Sequence, residues 1–97
     1  MLSITRRDGE AIQIGSTRLT WMSQRARFAE VLINRKSSVH YVQLRENQRE
    51  QIMVDGHECT IIWNKHVQNG RQQYRIHIDA PRFVPIHRAE LLAATPA

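Results

Sequence analysis

A chain of 97 residues is enough for one small domain, whose core buries roughly two thirds of the unfolded surface. The hydrophobic fraction of 41% excludes a disordered chain, and no run approaches the ~20 apolar residues of a membrane-spanning helix. With 14 Lys and Arg against 9 Asp and Glu, the formal net charge is +5, a prior for an anionic partner. Only Lys36 and Lys65 of these cations are lysines. The arginine skew favours bidentate pairing with phosphate and guanine edges, and stacking on bases.

In chain order, Met1 to Arg7 alternates, with Leu2, Ile4 and Arg6 on one side, and reads as a strand. Its basic pair follows a very short apolar run, the reverse of a secretory signal, so a cytoplasmic location is expected. Asp8-Gly9 signals a turn, and Ala11 to Ile14 is a second strand closed by Gly15-Ser16. From Thr17 to Leu44 the pattern is less decisive. Leu19 to Met22 and Ser38 to Leu44 read as extended, and Phe28 to Ile33 as a strand or a helical turn. Arg45 to Gln51 is polar and reads as a loop or an exposed strand end. Strands are expected at Ile52 to Val54 and Cys59 to Trp63, with a turn at Asp55-Gly56 between them. Asn69-Gly70 is a further turn, and Tyr74, Ile76 and Ile78 share a face of the next strand. Pro81 ends that strand, Val84, Ile86 and Arg88 share a face of the last one, and Ala89 to Ala94 is a short helical stretch. Short apolar runs between Xaa-Gly turns predict an all-β sandwich or barrel with a short C-terminal helix, in a single domain spanning 1–97.

Catalytic and metal chemistry find little support. His57 and Cys59 share a strand face, but His40, His66, His77 and His87 are scattered without ligand spacing, so no metal site is expected. No nucleophile motif or Gly-rich phosphate loop is present, so neither an enzyme nor a cofactor is expected. Cys59 is the only cysteine, cannot form an internal disulfide, and sits in an apolar strand as a buried thiol. Trp21, Phe28, Trp63 and Phe83 are expected in the core rather than as stacking platforms.

Two blocks carry a resemblance. Met1-Leu2-Ser3-Ile4-Thr5-Arg6-Arg7-Asp8-Gly9-Glu10 with Ile12-Gln13-Ile14-Gly15 resembles the N-terminal block of the carbon storage regulator (CsrA/RsmA) family. Gln73 to Pro81 with Val84-Pro85-Ile86-His87-Arg88-Ala89-Glu90-Leu91 resembles its C-terminal block. The resemblance implies an interleaved all-β dimer fold with a short C-terminal helix. It also implies recognition of GGA-containing hairpin loops in messenger leaders or small RNAs, with control of translation. The family's site joins the first strand of one protomer to the last strand of the other. Carried over by position, it comprises Ile4, Thr5, Arg6 and Arg7, then Val84, Ile86, His87 and Arg88, with Ala80 and Pro81 as a turn whose backbone approaches the RNA. The alternation agrees, because Ile4 with Arg6, and Val84 with Ile86 and Arg88, would form an apolar shelf flanked by guanidiniums. Three positions depart from the family pattern: Asp79 replaces an Asn, Ala89 a frequent Glu, and Pro85 removes a backbone donor from the last strand.

The chain is longer than the family's protomers, and the surplus lies between the matched blocks. It is either an insertion or a degenerate tandem duplication, with repeats at about 1–44 and 45–97. An echo favours duplication: Ser38-Val39-His40-Tyr41 parallels Pro85 to Arg88, and Leu44-Arg45 with Glu50 to Asp55 parallels Thr5-Arg6 with Glu10 to Gly15. A duplicated chain would be a monomeric pseudo-dimer, and an inserted one a homodimer. The rival function is a protein-interaction module of the same fold without RNA binding.

Overall fold

The computed structural model describes residues 2–25 and 27–88. Among these the chain forms strands only: β1 (Leu2–Arg6), β2 (Ala11–Ile14), β3 (Thr17–Arg25), β4 (Phe28–Arg35), β5 (Ser38–Arg45), β6 (Glu50–Val54), β7 (His57–Gln68), β8 (Arg71–Asp79) and β9 (Ile86–Arg88). The all-β expectation holds. The helix expected over Ala89 to Ala94 lies outside the described residues.

The strands make two antiparallel sheets, in the orders β1-β8-β7-β6 and β5-β4-β3-β2-β9, not a closed barrel. Alternation drives the layering. On β2, Ile12 and Ile14 are buried; on β3, Thr17, Leu19 and Trp21; on β8, Tyr74, Ile76 and Ile78. Their neighbours along each strand point outward, so each sheet turns one apolar face to the other. Trp21, Trp63 and Tyr74 meet at the centre, with ring centroids 6.4 Å apart for Trp21–Trp63, 5.1 Å for Trp21–Tyr74 and 5.6 Å for Trp63–Tyr74. These separations suit edge-to-face packing. A bulge between Trp21 and Ser23 shifts the alternation by one, so that Ser23 lies opposite Glu30 and Gln24 opposite the buried Ala29.

The two strand orders are related. Exchanging β1–β4 for β5–β8 turns the order β1-β8-β7-β6 into β5-β4-β3-β2. The register follows: Ile12 pairs with Leu19 as Ile52 pairs with Cys59, and Ile4 pairs with Ile76 as Leu44 pairs with Ala29. Each half therefore donates its first strand to the other half's sheet. The related turns Gly15-Ser16 and Asp55-Gly56 touch. A Cβ on Gly15, where φ is +54°, would meet the Asp55 carboxylate and lie 3.1 Å from Val54 Cγ1. A side chain there would be strained and would crowd the neighbouring turn.

Three expectations change. Ser38 to Tyr41 is not a last-strand echo, since it opens β5 and pairs with β4, His40 lying opposite Ile33. By register Leu44 corresponds to Ile4 rather than to Thr5, which puts Glu46 at the place of Arg6. Phe28 and Phe83 are exposed, at 41% and 69%, so of the four expected core aromatics only the two tryptophans are buried.

Candidate nucleic-acid interface

β1 ends one sheet and β9 ends the other, and the segment 80–85 crosses between them. Asp79 is the last residue of β8, and Val84 N–H donates to the Pro81 carbonyl at 3.0 Å to form a turn. Val84 then plugs into the core. Pro85 accepts a hydrogen bond from Gly15 N–H at 2.8 Å, which ties the crossing to the β2–β3 turn. Pro85 lies just before β9, an edge strand, so its missing donor breaks no ladder bond.

The crossing and the two edge strands enclose an open cleft of about 400 Å³. Leu2 of β1 and Ile86 of β9 form its apolar walls with Ile78 and Val84 behind them, while Ala80, Pro81, Arg82 and Pro85 line the crossing side. The first and the last described strands thus meet at one place. Ala80 and Pro81 are half-buried in the cleft wall. Arg88 is exposed, lies opposite Ile12, and shares its strand face with Ile86. His87 is exposed on the opposite face, beside Gln13.

The expected shelf does not form. Ile4 and Arg6 share a face, but that face is inward: Ile4 is 7% exposed and Arg6 5%. Arg6 Nε donates to the Thr5 carbonyl at 3.0 Å, Nη1 donates to the Ala11 carbonyl at 3.3 Å, and Nε lies 3.8 Å from Glu10 Oε1. Arg6 therefore braces β1 against β2. Val84 belongs to the core as well. Thr5 is half-buried on the outer face of β1. Arg7 is exposed but stands beyond the far end of β1 from Leu2, lining a separate recess of about 350 Å³ with Gln68, Asn69, Arg71 and Gln73.

Charge divides the surroundings of the crossing. Glu58 and Asp79 stand beyond Ala80 and Pro81 from the cleft, in a groove of their own with Thr60. Arg82 lines the cleft, and Arg88 follows the wall residue Ile86 by two positions on β9. Acidic groups and a guanidinium thus lie on opposite sides of the turn. Arg82 and Leu2 escaped the sequence reading of the site. Leu2 carried a signal, its shared alternation with Ile4, but Arg82 lies in the gap between the matched C-terminal segments. Cys59 is fully buried, and burial pushes its thiol pKa up, with Asp55 and Asp79 adding to the effect. Among the described residues no three His, Cys, Asp or Glu side chains gather as a metal site.

Compared with known protein families, curated proteins and solved structures, the chain matches none.

Proposed function

We propose that this chain is an RNA-binding post-transcriptional regulator that takes GGA-containing hairpin loops, from messenger leaders or small RNAs, along the β1–β9 margin. The observation that carries the reading is the meeting of β1 and β9 at one cleft, because the two blocks that resemble the regulator family lie at opposite ends of the sequence. Leu2 and Ile86 offer apolar surface to an unstacked base. Both strands end their sheets, so each keeps backbone N–H and C=O groups free of a neighbouring strand. Arg88 and Arg82 supply guanidiniums for phosphate and guanine edges. In this reading Ile4 and Arg6 shape the site from beneath.

The exchange relation between the sheets supports a fused pair of protomers, and hence a monomeric pseudo-dimer with one competent site. The related site lacks its last strand among the described residues, and Glu46 replaces Arg6 there. Titration of a labelled GGA hairpin against the protein, with a CCA control, tests the reading. Sub-micromolar binding that weakens at least tenfold with CCA supports it. Equal affinity for both loops would sink the sequence-specific part, and no binding would sink the whole.

One observation favours a second reading, a protein-interaction module. β2 is covered by β9, whereas its counterpart β6 is an edge, touched by Arg35 Nη2, which donates to the Met53 carbonyl at 3.2 Å. A partner strand pairing with β6 would show as protected Gln51 and Met53 amides in hydrogen exchange.

A further inference from the structure

Each outer face carries some exposed apolar surface, Met53 on β6 included, but the larger share lies on one sheet. On the β1-β8-β7-β6 sheet the polar side chains pair with one another: Ser3 Oγ lies 2.7 Å from His77 Nδ1, and Arg75 Nη2 lies 3.5 Å from His66 Nε2. The other sheet exposes apolar surface. Tyr41 is 56% exposed and Val39 62%, with Phe28 and Met22 also open and Leu32 beside Tyr41. Four large exposed apolar side chains on one sheet face make it a candidate binding surface.

The register arranges this face in rows. Phe28 of β4 is flanked across the sheet by Arg45 of β5 and Arg25 of β3. Two positions along the strand, Glu30 lies between Gln43 and Ser23. Next comes Tyr41 beside Leu32 and Thr20, and then Val39, Asn34, Arg18 and Gln13 in line. Gln13 is opposite His87 of β9, so this last row runs into the β1–β9 margin. Glu30 is the face's single acid among the described residues, and it is already engaged. Its carboxylate accepts from Ser23 Oγ at 2.7 Å and lies 4.0 Å from Arg25 Nε. Aromatic rings interleaved with arginines suit a polyanion that also carries flat apolar faces. A second copy of the chain would bring Arg18, Arg25 and Arg45 against their own kind.

We infer that the outer face of the β5-β4-β3-β2-β9 sheet binds single-stranded nucleic acid, with bases stacked on Phe28 and Tyr41 and phosphates on Arg18, Arg25 and Arg45. This is a second surface, beyond the β1–β9 cleft, and it rests on its own chemistry. Its position, continuous with His87, suits the unpaired strand that flanks a loop held at the cleft.

Fluorescence anisotropy with three labelled RNAs tests it: a GGA hairpin, the same hairpin with an unstructured single-stranded extension, and the extension alone. The proteins are the wild type, Phe28→Thr with Tyr41→Thr, and Arg25→Gln with Arg45→Gln, all checked for folding by circular dichroism. The second pair of substitutions is fully at the surface and keeps the inference testable should the first perturb the sheet. The extension should tighten wild-type binding by about thirtyfold or more, as two stacked bases supply. Both double variants should lose that gain while binding the bare hairpin as the wild type does. The inference is overturned if the extension adds nothing, or if both variants keep the gain. It is also overturned if the aromatic substitutions instead dissolve a dimer seen by sedimentation, or abolish adhesion to anionic vesicles in a protein that ignores the extension. If the hairpin alone fails to bind but the extension binds and the variants lose it, the cleft reading fails and this one stands.

Discussion

The Asp55 carboxylate accepts a hydrogen bond from the Ser16 backbone N–H at 3.1 Å and a second from the Ser16 hydroxyl. These residues sit in the two hairpin turns that correspond between the halves, so one side chain clips the related turns together. The Ser16 hydroxyl, and then the Ser16 amide, hold the Asp55 carboxyl below its ordinary pKa. A group whose folded pKa is depressed stabilises the fold above its unfolded pKa and loses that contribution as pH falls through the folded value. Stability should therefore decline below about pH 4. Asp55→Asn should lower the urea midpoint at pH 7 and narrow the difference between pH 7 and pH 3. Parallel pH dependence in wild type and variant would show that the clip contributes nothing.

Trp63 and Trp21 share the core but differ in hydrogen bonding. Trp63 Nε1 donates to the Leu44 carbonyl at 2.9 Å, whereas Trp21 Nε1 is buried without a partner. Trp63→Phe forfeits a buried hydrogen bond, and Trp21→Phe removes an unsatisfied donor. Urea unfolding should show Trp63→Phe to be the more costly by about 1 kcal/mol or more. The reverse order would contradict this assignment.

Arg6 and Arg88, expected as equals in one site, should separate cleanly. Arg6→Ala removes the brace to the Thr5 and Ala11 carbonyls from a buried position and should cost roughly 2–4 kcal/mol of folding stability. Arg88→Ala lies at the surface and should leave the unfolding midpoint unchanged. If the proposed function holds, it weakens hairpin binding by about 2 kcal/mol, roughly 30-fold. Thermal melts and gel-shift titrations of the two variants provide the comparison.

Assembly and salt response follow from the fused-pair reading. Light scattering coupled to gel filtration should return a monomer, and calorimetry one hairpin per chain at the β1–β9 margin. With three to five cations meeting phosphates, the slope of log affinity against log salt should be roughly −2 to −4. A symmetric dimer carrying two equivalent RNAs would show that two separate chains supply the strands of each site.

Much of the fold was legible in local pattern. Alternation marked the inward faces of β2 and β8, and the Asp55-Gly56 and Asn69-Gly70 turns lie where the sequence set them, with positive φ at all four residues. The buried Cys59 thiol and the core position of both tryptophans were equally local, since each lies in an apolar run of β-formers.

What the sequence by itself determined, then, was which residues share a face and where the chain turns, because both depend on neighbours a few positions apart. Only the tertiary structure decided which strands pair and what covers each face. Arg6 follows Ile4 by strict alternation, but it is buried because the second sheet closes over that face. Phe28 sits in an apolar run just as Trp63 does, yet it is left open because its parity on β4 points away from the partner sheet. Ser38 to Tyr41 resembled a last strand until its pairing with β4 absorbed it into β5. Register and sheet order are set by long-range pairing whose free energy is shared among many distant side chains, so no single segment can encode them.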